Sequence, residues 1–503
     1  MTTGVMGASL LVLAASVAVA APPAERNWSE ALARDAQALH DDLAANHPGP
    51  VNSLDPTFSA NNDRQLRIAL ERARTARTYA DYFFPLRIYT SSFNDGHLGF
   101  GALGDTPNDL SWPGFATRFD GRGRIVVDTE EPGSPVPRGA ELLSCDGMSA
   151  ARYAEATLGT MWGRWNLEAQ QQRWGAMLFL DEGSKLIPRA QRCTFAVAGK
   201  RRDIALAWRP LAPERMGTLM RELRGAIRRD FGARTLSNGL RWIAMPSFSG
   251  SSSSDAAKAL PGLIAGIRKD RAGLLAAPAI VLDLRGNGGG SSDWSRQIAE
   301  AIWGEGAPDR LPPGPEVKVD WRASPANLAE IANGYADRRD SEGFSPEADG
   351  WFRSVIAGLG TAIARKQPLW RHVEFDPPAR SAPSAATTKA LAPAPAPIRL
   401  AHPVYVLTDS SCASACLDAV DLWTKVGAVQ VGRPTSADTL YMEIRERILP
   451  TRLTSVSVPM KVYRGRARGS NQPAMPAHRF DGDIADTAAL EHWIAGLAAK
   501  TRP

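Results

Sequence analysis

The sequence predicts a layered α/β protein that carries an N-terminal helical cap and a small β-rich module. Three observations carry this prediction. From about Gly239, strand-like apolar runs alternate with helix-like stretches: RWIAMPSF, then Ala256 to Ile267 at helical spacing, then AIVLDLR running into GNGGG, then a helix from about Ser292. That order is the signature of a layered α/β domain. Residues 28–104 read instead as helices, and residues 105–210 as short strands separated by Gly and Pro turns. Usage is ordinary for a globular chain: 503 residues, 44% hydrophobic and 22% charged, enough for two or more units with a sizeable core. The net charge of +6 is scattered, and no long basic run is interleaved with aromatics, so a nucleic-acid partner is not expected.

Taken in order, residues 1–20 read as a signal peptide. Ala8 to Ala20 is apolar, too short to span a bilayer, and ends in the small-residue pattern Ala18-Val19-Ala20. The leading residues lack Lys and Arg, so an uncleaved apolar anchor is the alternative. No later run has the length of a membrane span, and the mature chain is expected to be soluble, periplasmic or secreted, with no stable membrane insertion. Cys145, Cys193, Cys412 and Cys416 suit an oxidising compartment. Cys412 and Cys416 lie four apart, within disulfide reach on one helical face. Buried free thiols are the other reading, and no spacing suits a metal site.

In the cap, Leu32, Leu39 and Leu43 form one apolar series, a turn falls at His47-Pro48-Gly49-Pro50, and the helices end in SSFNDGHLGFG, which places His97 on a loop or strand start. A loop histidine is a candidate acid or base because imidazole titrates near neutrality. In residues 105–210, PVPRGAELLSCDG loosely resembles a PDZ-like module, which holds a peptide by strand addition; a plain β connector is the equal alternative. Residues 236–306 form the first part of the core. Their GNGGG turn keeps neither phosphate-loop spacing, GxxxxGK[ST] or GxGxxG, and suits an oxyanion hole better. Residues 307–376 interrupt the alternation and read as a helical insertion, and residues 377–398 as a Pro- and Ala-rich linker or loop.

Residues 399–500 complete the core around PVYVLTDSSCASACLDAVDLWTK, an apolar strand, a polar turn and a helix. Small residues at the turn would expose the Ser414 hydroxyl beside the free N–H groups of a helix N-terminus. An ordinary Ser- and Ala-rich helix start is the competing reading. Three strands follow, then an amphipathic helix with Asp486 as its N-cap. Asp409 suits a cap on the elbow, and Asp283 with Arg285 suits a structural role beneath the Gly-rich turn.

DLRGNGGG after a strand, an Ala-Ser-Ala elbow further along, and VGRPT just beyond it together resemble the C-terminal processing peptidase and tricorn-core family of serine peptidases. The resemblance implies a crotonase-like α/β core with a helical cap and, often, a PDZ-like module. It implies Ser414 as nucleophile, and the N–H groups of Gly289, preferred to Gly288, and Ala415 as oxyanion donors. One branch of the family uses a Ser-Lys dyad, but Thr435-Ser436-Ala437-Asp438-Thr439 has no Lys where that branch has one. The tricorn-like branch uses a His in a D-x-H setting, which matches Asp95-Gly96-His97 and makes His97 the base, with His478 in reserve. Its orienting Glu would fall near Ser470 to Gln472, where RGSNQP has no carboxylate. Glu443 is the preferred substitute; the Gln472 amide and a degenerate site are the other readings. The expected function is an exported serine peptidase of Ser-His type that cleaves peptides or unfolded polypeptides through an acyl-enzyme, either as an endopeptidase or directed at C-terminal ends. It needs neither metal nor organic cofactor. The alternative is a non-hydrolytic peptide- or small-ligand-binding protein on the same fold.

Overall fold

Three helices make the cap: Trp28–Asn46, Phe58–Ala73 and Tyr79–Ser91. Asn27 opens the first by accepting the Glu30 N–H, and Thr78 with Asp81 closes a capping box on the third. Leu32, Leu39 and Leu43 face inward against Tyr82, Leu86 and Tyr89, all fully buried, each such side chain contributing roughly 1.5–3 kcal/mol on burial. The computed structural model describes residues 26–104, 110–187, 189–223, 230–251, 253–311, 317–341, 346–372 and 400–500. The signal peptide expected over residues 1–20 and the linker expected over residues 377–398 lie outside the described residues. Among the described residues no helix is long and apolar enough to cross a membrane.

The core is a six-stranded sheet in the order Gly232–Thr235, Arg241–Ala244, Ile280–Asp283, Val404–Thr408, Val429–Gly432 and His478–Arg479. The first pair is antiparallel and the rest are parallel. Helices Asp255–Lys269, Asp293–Trp303 and Ala415–Lys425 cover one face, and Thr487–Lys500 covers the other through Leu490 and Ile494. A parallel sheet covered on both faces explains why IVLD and VYVLT are unbroken apolar runs. Because Ile280–Asp283 and Val404–Thr408 are parallel neighbours, the Gly-rich turn and the elbow leave the sheet at the same edge. The carboxyl ends of strands are where open α/β sheets place their sites.

A second sheet joins cap and core. Its long strand Thr454–Arg464 pairs on one side with Tyr441–Ile448, and on the other with Gly99–Ala102 and Lys318–Arg322. The latter pairs in turn with Leu369–His372. The segment expected to be a helical insertion thus holds helices Pro325–Ser341 and Pro346–Ala364 between two strands that belong to this sheet. KVDWR and LWRH are too short and too charged to show strand periodicity, so the helical signal beside them dominates. The cap is bolted to this sheet by buried charge: Asp42 accepts from Arg445 at 2.8 Å and Arg447 at 2.9 Å, and Asp35 accepts from Tyr82 at 2.6 Å and the Thr451 N–H at 3.0 Å.

The β-rich module is an antiparallel sheet of Phe115–Phe119, Ile125–Glu130, Glu141–Cys145, Arg192–Val197 and Lys200–Ala205, in that order. Cys145 lies opposite Cys193 in the ladder and is disulfide-bonded to it; Cys412 is bonded to Cys416.

Candidate active site

The elbow is not an ordinary helix start. Ser414 has φ +53° and ψ −125°, and its side chain caps no N–H of the helix it precedes. A helix-capping serine has negative φ and spends its hydroxyl on the second or third N–H. A non-glycine residue at positive φ costs about 1–3 kcal/mol and persists only where its surroundings impose it. Strain of this kind at a strand-to-helix turn pushes a serine hydroxyl out of the helix line.

Four contacts impose it. The Cys412–Cys416 disulfide spans the turn. The Ser414 N–H donates to both oxygens of the Asp438 carboxylate, at 3.1 and 3.3 Å. Asp409, fully buried, accepts the Ser411 N–H at 2.9 Å and the Gly286 N–H at 3.0 Å, so one carboxylate ties elbow to Gly-rich turn. Burial pushes the Asp409 carboxyl up to about 6, against these two bonds. The fourth contact is Gly289 itself, at φ +97°, where a Cβ would lie 2.5 Å from Ala413 O, 2.8 Å from Ser414 Cβ and 2.9 Å from Ala415 N. Only glycine allows that approach. Asn287 fixes the turn from beneath, donating to Met245 O at 2.8 Å and accepting the Gly289 N–H at 2.9 Å. Asp283 and Arg285 pair with each other at 2.6 Å below it.

Gly289 and Ala415 therefore flank Ser414. The Gly289 N–H is engaged by Asn287, whereas no acceptor bonds the N–H of Ala415 or Gly288 among the described residues.

His97 sits half-buried on the turn between helix Tyr79–Ser91 and strand Gly99–Ala102, its backbone N–H donating to Asp95 Oδ1 at 2.9 Å. The loop after VGRPT joins this turn to the elbow through two adjacent residues: Asp438 holds the Ser414 N–H, and the Thr439 hydroxyl donates to Asp95 Oδ1 at 2.7 Å. Asn471 adds a second tie, its N–H donating to Asp438 O at 2.7 Å and its amide to Asn94 O at 2.8 Å. Arg164, from the β-rich module, adds a third. Its guanidinium donates to Ala437 O at 2.6 Å and packs against Gly96, where a Cβ would lie 2.6 Å from it. No hydrogen bond links Ser414 Oγ to the His97 ring, and His97 Nδ1 is buried without a partner among the described residues.

Glu443 is not brought to His97. It stands on strand Tyr441–Ile448, its side chain 40% exposed, and pairs with Lys461 at 3.5 Å. Gln472 Oε1 accepts the Gly469 N–H within its own turn. His478 is exposed and paired through its backbone to Val431. Asp438, Thr439, Asn471, Arg164 and His47 escaped the sequence reading. The one available signal was Asp438-Thr439 in the stretch where a Lys was sought.

No family model matches the chain, and no curated protein matches it. Among solved structures it is similar to mature CPAF, at TM-score 0.60 and 13% identity over 95% of this chain and 99% of that one. It is likewise similar to mature CPAF complexed with lactacystin, at TM-score 0.59 and 13% identity over 94% and 98% of the two chains. The shared feature is the fold: mixed α/β, nearly end to end.

Proposed function

We propose that this chain is an exported serine peptidase of the C-terminal processing and tricorn-core family, with a crotonase-like core and a PDZ-like module. The observation that carries the reading is Ser414 at φ +53°, ψ −125° on a turn against which Gly289 is packed too closely for any side chain. Nothing in helix formation calls for that strain, whereas a nucleophile needs its hydroxyl exposed beside backbone donors. Fold likeness to mature CPAF, a protein whose structure is known with lactacystin bound, and the two disulfides fit the same reading.

In this chemistry Ser414 Oγ attacks a peptide carbonyl as its proton passes to His97. The oxyanion is held by the Ala415 N–H and by the Gly-rich turn, where the Gly288 N–H is the open one and that of Gly289 is bonded to Asn287, each open donor contributing about 3–4 kcal/mol in the transition state. His97 then protonates the departing amine, and water releases the acyl group by the reverse path. The site is of Ser-His type: no lysine stands in the loop 435–439, and Asp438 and Thr439 occupy its working positions. The β-rich module would present an extended polypeptide by strand addition.

A second reading, a binding protein that does not hydrolyse, is favoured by one observation: the Ser414–His97 hydrogen bond is not made. Catalytic bonds are often loose in the free enzyme. A fluorophosphonate probe separates the two, with lactacystin as competitor. Labelling that depends on Ser414 and His97 supports the peptidase; a stoichiometric peptide complex with no labelling supports the binder.

A further inference from the structure

Around the base, Asp95 Oδ2, His47 Nε2, His97 Nδ1 and Asn471 Oδ1 are buried with no hydrogen bond among the described residues. The nucleophile is different, because a buried carboxylate touches its own backbone. Asp438, 4% exposed, accepts the Ser414 N–H on both oxygens, at 3.1 and 3.3 Å. A charged acceptor makes the stronger class of hydrogen bond, and this one falls on the residue that carries the strained φ of +53°. It also has a chemical consequence. In one serine-peptidase arrangement the N–H of the nucleophile itself serves the oxyanion. Here that N–H is spent on Asp438, which leaves the open donors at Ala415 and Gly288.

The loop that carries Asp438 is itself held along its length. The Ser436 N–H donates to Cys412 O at 3.0 Å, Ala437 O accepts from Arg164 at 2.6 Å, Asp438 O accepts the Asn471 N–H at 2.7 Å, and the Thr439 hydroxyl donates to Asp95 at 2.7 Å. The carboxylate faces Arg468, whose Nη1 lies 3.9 Å from Oδ2. Arg468 belongs to the basic stretch KVYRGRAR, yet its side chain is only 8% exposed and turns onto helix Ala415–Lys425. There its Nε donates to Asp421 at 3.2 Å and its Nη2 lies 3.7 Å from Asp418. Arg466 donates to the same Asp418 at 2.5 Å, and the Ser292 hydroxyl to its other oxygen at 2.7 Å. One network therefore joins the helix after the Gly-rich turn, the helix after the elbow, and the loop that holds Ser414. Arg164 also acts electrostatically on Asp438. The two guanidinium groups offset a negative charge that would otherwise oppose an oxyanion forming beside Ser414.

We propose that Asp438 is the positioning residue for the nucleophile and that Arg468 orients it. The carboxylate fixes the peptide plane that precedes Ser414, so that Oγ leaves the elbow in line with the Ala415 and Gly288 donors. Arg468 keeps the carboxylate aimed at the Ser414 N–H and ties it to the helix that starts there. Arg466 and Arg468 thus serve the elbow and are neither a solvated surface nor a substrate contact. This rests on the reading of Ser414 as nucleophile above.

The test uses the full chain labelled with ¹⁵N-serine, with Ser414→Ala assigning the Ser414 amide signal, and the rate of fluorophosphonate labelling. In wild type the Ser414 N–H should be protected from exchange with solvent. Asp438→Leu, close in size but with no acceptor, should expose it and slow labelling by about 100-fold, the cost of a small misplacement of reacting groups. Asp438→Asn, which keeps an acceptor oxygen, should restore protection and bring labelling to within about tenfold of wild type, the lower end of what a weakened supporting contact costs. Arg468→Met, which keeps the length and removes the charge, should shift the Ser414 signal and slow labelling by about tenfold, and should add nothing in the Asp438→Leu chain, because it acts through that carboxylate. A folded Asp438→Leu chain that labels at the wild-type rate overturns the proposal, even if the amide signal moves, and leaves the peptidase reading intact. If Asp438→Leu does not fold, an Arg468→Met chain with wild-type signal and rate overturns it. If wild type itself never labels, the peptidase reading fails and the amide alone decides: exposure in Asp438→Leu supports the proposal, and unchanged protection overturns it.

Discussion

The two halves of the site are built by opposite means. The Ser414 half stands on adjacent parallel strands, and most of its polar groups are bonded: a disulfide across the turn, Asp409 and Asn287 beneath it, Asp438 on the Ser414 N–H. The His97 half is assembled from the cap, the β-rich module, the loop after VGRPT and the segment around Asn471, and leaves four buried polar atoms without a hydrogen bond among the described residues. The proposed nucleophile and its donors are thus preorganised by local geometry, whereas the proposed base depends on how three distant segments dock. Mutations in the first half should act as all-or-none switches, and mutations in the second should be graded.

The largest effect should come from Gly289→Val. A side chain there meets three elbow atoms at under 3 Å, and positive φ is denied to a β-branched residue. Labelling of Ser414 should fall by about 1,000-fold, because the displaced elbow takes the hydroxyl out of line with the oxyanion donors, whose loss costs up to that much. On the other side, Arg164→Ala frees the Gly96 turn without touching Ser414. It should slow labelling by roughly 10- to 100-fold, as loss of a supporting contact typically does. Kinetic labelling of both variants at one probe concentration checks the ranking, and equal losses would break the comparison.

The disulfides sharpen it in a different currency. Closing the 48-residue separation of Cys145 and Cys193 should stabilise by about 4 kcal/mol, and closing the four-residue separation of Cys412 and Cys416 by about 2 kcal/mol, on the loop-entropy model. Replacing both cysteines of the first pair with serine should therefore lower the melting temperature more. Replacing the second pair should slow labelling more, because it spans the elbow. The last effect is one of pH. The folded Asp409 carboxyl, at about 6, titrates above its unfolded value, so the stability it contributes is full below about pH 4 and lost as pH rises through about 6. Against an Asp409→Asn chain, wild type should lose roughly 3 kcal/mol across that window, measured by urea unfolding at stepped pH.

The same contrast decides what was legible in the sequence. The elbow half is coded by short contiguous strings, because parallel strands buried on both faces write themselves as apolar runs, and a glycine pressed against a backbone admits no substitute. Ser414, Gly289 and Ala415 stand in such strings. The helical cap was equally plain, since Leu32, Leu39 and Leu43 repeat at helical spacing. The base half is coded by tertiary contacts among Asp95, Arg164, Thr439 and Asn471, and no periodicity joins residues so far apart. His97 was found because Asp-Gly-His is itself a short local string that matches the D-x-H setting of the resembled family. Glu443 was chosen for its chemistry, and in the fold its carboxylate turns to Lys461. The strands Lys318–Arg322 and Leu369–His372 were missed for a related reason: each is recognisable only once Thr454–Arg464 is beside it or next to its neighbour.

The central claim is that the strain at Ser414 serves nucleophilic attack. Fluorophosphonate labelling of wild type, Ser414→Ala and His97→Ala, with the modified peptide identified by mass spectrometry, tests it most directly. The account predicts one adduct on Ser414 in wild type, none in Ser414→Ala, and at least about 100-fold slower labelling in His97→Ala, the least that loss of a general base costs. A folded wild-type chain that carries no adduct on Ser414, or one that labels equally well without His97, would contradict it.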